Sequence, residues 1–213
     1  MLISLIKKIK NRYSASNKLE KSSIEDLGTY TLYRYLDEKG KFDYQSYKKA
    51  QIEANKRKLN YVWVQEENII FLSEYIKDKI GDPTIGLCHG TRNGVEQKWF
   101  RENLNCSIIG TEISDTANQF PDTIQWDFHE TKPEWIGSID FIYSNSLDHS
   151  YDPEKAINAW VFCLKPQGFL ILEHSSDDSN SKESDPFGVS LEMLPYLILD
   201  WTRNKFSVRE ILV

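Results

Sequence analysis

The chain has 213 residues, 40% hydrophobic and 13% aromatic, enough to bury one ordinary core and too few for two full domains. A net charge of −6 excludes broad nonspecific affinity for nucleic acid, which needs a surplus of Lys and Arg on the contact face. Its longest apolar runs, at 68–72 and 168–172, fall far short of the roughly 20 residues a bilayer span requires. Three widely spaced cysteines (Cys88, Cys106, Cys163) with no CxxC pair fit buried thiols in a reducing compartment, so a cytoplasmic location is expected.

Residues 1–21 hold Lys7, Lys8, Lys10, Arg12, Lys18 and Lys21 against Glu20 alone, with Leu2, Leu5, Ile6 and Ile9 at helical spacing. This pattern predicts a basic amphipathic helix. Through residues 1–13 such a helix suits docking on its own domain, on a second copy of the chain, or peripherally on an anionic membrane. Residues 1–80 read as a polar, helical extension or lid, and 81–213 as the main domain. Helices are expected over Tyr44–Leu59 and over Glu66–Ile80, where Ile69, Phe71, Leu72, Tyr75, Ile76 and Ile80 lie close to a 3.6-residue period. Gly81-Asp82-Pro83 ends the second, because proline cannot continue a helix.

Strands and helices then alternate. Strands are expected at Thr84–Cys88, Ser107–Thr111, Thr123–Trp126, Ile139–Tyr143 and Phe169–Glu173, with helices after Gly94, over Pro153–Cys163 and over Leu191–Thr202. The turn Lys165-Pro166-Gln167-Gly168 precedes the fifth strand, and Phe206–Val213 reads as a sixth. The serine-rich run 175–184 reads as a mobile loop. Such alternation predicts an α/β fold: a Rossmann-like three-layer α/β/α sandwich around a mostly parallel sheet.

In such a sheet the ligand sits beyond the carboxyl ends of the strands. The first strand is followed by His89-Gly90-Thr91-Arg92-Asn93-Gly94, where glycine lets backbone approach a ligand and the next helix offers free N–H groups. Glu112 closes the second strand, 22 residues beyond Gly90, where a carboxylate can accept from both ribose hydroxyls. Asp127 follows the third strand and can accept from an exocyclic adenine amine. The fourth strand runs into Ser144-Asn145-Ser146-Leu147-Asp148-His149.

From about Thr84 to Ser175 the chain resembles the core of the class I S-adenosylmethionine-dependent methyltransferases, through the order and spacing of these four elements and the LKPxG turn. The resemblance implies methyl transfer from S-adenosylmethionine to a small-molecule or carbohydrate-like acceptor, at a hydroxyl or similar nucleophile. It implies that Gly86, His89, Gly90 and Thr91 line the methionine end of the cofactor. Glu112 would hold the ribose, Ile113 would pack on adenine, Asp127 and Phe128 would recognise its edge, and Asn145 and Ser146 would flank the sulfonium side. The chain departs from the family loop, an acidic residue and three glycines at alternate positions. Gly86, Cys88, Gly90 and Arg92 stand at those places, so either another carboxylate such as Glu96 helps hold the methionine ammonium or cofactor binding is weakened.

His149 is the candidate base, since an imidazole with an ordinary pKa of about 6.5 can take a hydroxyl proton. Tyr44, Tyr47, Lys56, Arg57, Lys58, Tyr61 and Trp63 are candidates for a lid over the acceptor. All four histidines are expected along one edge, but no tight ligand spacing supports a metal with Asp148 or Glu173. A catalytically silent domain of the same fold, serving as a binding or assembly partner, is the alternative reading. A nicotinamide-dependent oxidoreductase is disfavoured because G-x-G-x-x-G is absent.

Overall fold

The computed structural model describes residues 23–175, 179–203 and 205–212. The basic segment 1–21, with its expected helix, lies outside them, as does the core of the serine-rich loop. Two short strands, β1 (Ile24–Asp26) and β2 (Thr31–Tyr33), precede helices α1 (Tyr44–Arg57) and α2 (Glu66–Ile80). Then come β3 (Ile85–His89), α3 (Val95–Leu104), β4 (Ser107–Glu112), β5 (Thr123–Gln125) and β6 (Ile139–Ser144). The chain continues through α4 (Pro153–Cys163), β7 (Leu164–Leu172), β8 (Phe187–Gly188) and α5 (Leu194–Trp201).

The central sheet has the order β5-β4-β3-β6-β7, and every pair in it is parallel. The order reverses direction between β3 and its neighbours β4 and β6, so the strand ends there splay into a cleft. One face buries Ile157, Trp160 and Leu197 from α4 and α5. On the other, Ile69, Leu72 and Ile76 of α2 and Phe100 of α3 pack against Phe141 and Tyr143. Each such side chain stabilises the fold by roughly 1.5–3 kcal/mol on full burial. Local signals place the helix ends. Asp43 accepts from the N–H groups of Gln45 and Ser46 at the start of α1, and Asp152 from that of Lys155 at the start of α4. Gly81, at φ 77°, closes α2.

Three expectations need correction. The first 80 residues are not wholly helical: β1 and β2 form a small antiparallel sheet with β8, pairing Thr31 with Gly188 and Leu32 with Phe187. Strands of two or three residues are too short to show a period of two. The turn Lys165–Gly168 lies inside β7. Ile139 pairs with Leu164 and Phe141 with Phe169, so five steps along β7 match two along β6, and Gln167 takes φ 70° in the bulge. The expected sixth strand is absent: described residues 206–212 form no strand, and Phe206, Val208, Ile211 and Leu212 are exposed. Alternation alone does not make a strand where side chains find no face to bury against.

No helix among the described residues is long and apolar enough to cross a membrane.

Candidate active site

A cleft opens at the carboxyl ends of β3, β4 and β6, enclosing about 540 Å³ when its open mouth is counted. Gly90 and Arg92 come from the loop after β3, Glu112 and Ile113 from the end of β4, and Asp127 and Phe128 from beyond β5. Ser146 and His149 follow β6. The remaining wall is α1, which presents Tyr47, Gln51, Ala54 and Asn55, with Lys58 just past its end.

Gly90 adopts φ 74°, and a Cβ on it would meet the Ser146 side chain at 2.6 Å, so the loop backbone lies directly against the segment after β6. The Ser146 hydroxyl donates to the Gly90 carbonyl at 3.2 Å and closes this floor. Glu112 is buried, and its two carboxylate oxygens accept from the backbone N–H groups of Arg92 and Ser114 at 3.1 and 3.0 Å. Burial pushes its carboxyl up despite these bonds.

Asp127 is held from both sides. One oxygen accepts from the Tyr44 hydroxyl at 2.7 Å, and the other meets the His129 N–H at 3.0 Å and its Nδ1 at 2.6 Å. Burial raises this carboxyl, but the bonds from His129 and Tyr44 outweigh it and leave the pKa below the ordinary value. His129 is itself fixed, with Nε2 2.7 Å from the Ser150 hydroxyl and its ring stacked on Tyr151.

His149 stands in the wall with Nδ1 2.8 Å from the Ser184 carbonyl. A carbonyl only accepts, so Nδ1 carries the proton and Nε2 of the neutral ring keeps its lone pair. Asp185 lies 3.4 Å from Nδ1, and Asp148 3.9 Å from Nε2. Side-chain ligand atoms of Asp148, His149 and Asp185 gather within 4.8 Å of one another.

Gly90, Glu112, Ile113, Asp127, Phe128, Ser146 and His149 are therefore brought together. Gly86, His89, Thr91 and Asn145 are not among the lining residues. Gly86 lies early in β3, where a Cβ would meet the Phe141 ring at 2.5 Å; glycine there serves packing. His89 extends β3 by one residue beyond its expected end and points into the core, stacked on Trp160 with Nδ1 2.8 Å from the Thr111 hydroxyl. Burial, with a smaller effect from His129, lowers its pKa to about 3, so it stays neutral. Thr91 is buried, its N–H donating to the Thr111 carbonyl, and Asn145 Oδ1 lies 3.0 Å from the Ser146 hydroxyl, sharing its one proton with the Gly90 carbonyl.

Glu96 lies buried in the first turn of α3, outside the lining, with one oxygen lacking a hydrogen-bond partner. Desolvation pushes its carboxyl up to about 7. All four histidines stand at or just beyond carboxyl ends of sheet strands, yet only His149 lines the cleft: His89 and His129 are buried, and His174 contacts the Val189 carbonyl. Glu173 accepts from Tyr143 and Asn68. Sequence reading missed Gln51, Ala54 and Asn55, although positions 47, 51, 54, 55 and 58 share one helical face; that face is mostly polar and escapes a search for apolar periodicity.

Residues 87–172 match a family model described as a methyltransferase domain. The fold is similar to that of Burkholderia thailandensis 1,6-didemethyltoxoflavin-N1-methyltransferase, solved with 1,6-didemethyltoxoflavin and S-adenosylhomocysteine bound. The TM-score is 0.60 at 13% identity, over 88% of this chain and 89% of that one. It is also similar to the plantazolicin methyltransferase BpumL, solved with a triazolic desmethylPZN analog and S-adenosylhomocysteine, at TM-score 0.59 and 14% identity over 76% of each chain. No curated protein matches the sequence. Residues 87–172 thus carry a methyltransferase-domain signature, and the fold around them is the Rossmann-like one of those solved methyltransferases. The cofactor to fit is S-adenosylmethionine, the parent of the S-adenosylhomocysteine bound in both of those solved structures.

The cleft fits that cofactor in two places. The Gly90 floor admits no side chain, and Glu112 is a buried carboxylate with each oxygen taking one backbone N–H, which leaves acceptor capacity for hydroxyls. At Asp127 the fit requires the Tyr44 hydroxyl to yield or share its oxygen.

Proposed function

We propose that this chain is an S-adenosylmethionine-dependent methyltransferase that alkylates a small-molecule acceptor at a hydroxyl or similar nucleophile, with His149 taking the acceptor's proton. Glu112 would hold the ribose hydroxyls, Ile113 and Phe128 the faces of the adenine, Asp127 its exocyclic amine, and Gly90 with Ser146 the methionine side. What S-adenosylmethionine supplies when bound is an electrophilic methyl group on a cationic sulfur. The chain's own residues have to align the acceptor, exclude water and accept a proton. Helix α1 and the 58–63 segment are read as the lid that closes the cleft, with Tyr47, Gln51 and Lys58 already in its wall.

The observation that carries the base assignment is the bond from His149 Nδ1–H to the Ser184 carbonyl, which keeps Nε2 as an acceptor in the neutral ring. The test is transfer of labelled methyl to a panel of small hydroxylated and aminated compounds, followed by pH profiles on the best acceptor. His149→Gln should lower kcat by roughly 10²–10⁴-fold and abolish the acidic limb of the profile, with the nucleoside Kd unchanged. An unchanged limb in His149→Gln would remove the histidine from the mechanism.

A further inference from the structure

We propose that Arg92 and Lys58 form an anion subsite at one end of the cleft, built to take a carboxylate. Both line the cleft, Arg92 from the loop after β3 and Lys58 from the residue after α1. Neither has an ion-pair partner within 4.0 Å among the described residues. Arg92 is only partly exposed, and among the described residues its side chain makes one hydrogen bond, from Nη1 to the Tyr61 carbonyl at 3.3 Å. Guanidinium carries five donors, so a half-buried one with a single neutral acceptor retains most of its capacity for an anion.

The position is built. Arg92 takes φ 45°, and its own N–H is held by Glu112. Asn93 donates to the carbonyls of Leu59 and Tyr61 at 3.0 and 3.4 Å, tying the segment after α1 to the loop. Lys58 Nζ lies 5.9 Å from the Trp63 ring, and Tyr61 and Trp63, 61% and 64% exposed, stand 6.3 Å apart beside it. Glu112, Glu96, Asp148 and Asp185 act on Arg92 from a distance; Asp185 is already engaged by Lys182 and His149. These carboxylates attract the cation without pairing with it.

Arg92 stands where the family loop carries its third glycine, and that substitution adds a cation to a loop that otherwise offers backbone alone. The carboxylate has two possible sources: the amino-acid tail of the cofactor, or an acidic group on the acceptor, with Tyr61 and Trp63 as the surface against which a planar acceptor stacks. The first source rests on the methyltransferase assignment, and the second does not.

The test is calorimetry on the full chain with two matched pairs. S-adenosylhomocysteine is compared with 5′-methylthioadenosine, which lacks the amino-acid tail, and benzoate with benzamide, with and without saturating nucleoside. The charged member of one pair should bind at least about tenfold tighter, as a charge-assisted contact does. Arg92→Gln or Lys58→Met should abolish that preference while Arg92→Lys retains part of it, with near-ultraviolet dichroism unchanged. Preference within the first pair assigns the cofactor tail, and within the second the acceptor. If neither pair shows a charge preference, or the preference survives both neutral variants, the subsite does not exist. Should neither nucleoside bind to folded protein, the proposed use of the cleft falls, while the benzoate arm still decides the subsite.

Discussion

The Tyr44 hydroxyl donates to Asp127 at 2.7 Å, so the first turn of α1 is fastened to the carboxylate that closes the far end of the cleft. The same helix is pinned at two further points, from Tyr47 to the His149 carbonyl and from Gln51 to the Ser184 carbonyl. Opening of α1 and access to Asp127 are therefore one event. Removing the hydroxyl in Tyr44→Phe frees an acceptor worth about 1 kcal/mol, and should tighten nucleoside binding by roughly fivefold. Titration with S-adenosylhomocysteine reads this directly; weaker binding in the variant would mean that Tyr44 assists the ligand.

Gly86 is assigned to packing, in place of the role the resemblance implied. Gly86→Ala should cost about 1–3 kcal/mol, because a Cβ would meet the Phe141 ring at 2.5 Å. Thermal unfolding should show the loss, nucleoside Kd measured well below the transition should not move, and Phe141→Leu in the same chain should restore part of the stability. A loss of affinity without loss of stability would return Gly86 to the site.

Glu96 makes stability depend on pH. Its folded-state carboxyl is raised to about 7 by burial, against an unfolded value near 4.5. Between these values the folded state holds more protons than the unfolded state, so stability falls as pH rises through that window and is level above it. Glu96→Gln removes the dependence. Denaturant titrations at pH 5 and pH 8 should show the variant gaining on wild type by up to about 3 kcal/mol at the higher pH. An equal difference at both values would show that Glu96 ionises freely.

Much of the fold was legible because α2, α4 and strands β3, β4 and β6 are long or strongly patterned: Glu66–Ile80 and Pro153–Cys163 fall where period and caps put them. The site was legible where residues follow strand ends, as Glu112, Asp127 and Ser146 do. His89 and Gly86 misled because one extra residue of β3 turns a loop position into a core position, and because a glycine in a strand looks the same whether it serves a ligand or a neighbouring ring. The pairing of β2 with β8 joins residues more than 150 positions apart, and no local pattern encodes it. The polar inner face of α1 was hidden for a related reason: its burial comes from the cleft it covers, which sequence periodicity does not contain.

The proposed function stands on the cleft between the ends of β3, β4 and β6, under α1, binding S-adenosylmethionine through Glu112. Calorimetric titration of the full chain with S-adenosylhomocysteine tests it most directly. One saturable site is expected, with Glu112→Ala weakening it by roughly tenfold to a hundredfold, as removal of a charged hydrogen-bond acceptor does, while the fold is kept. A folded protein that gives no binding heat, or a Glu112→Ala variant that binds as wild type does, would contradict it.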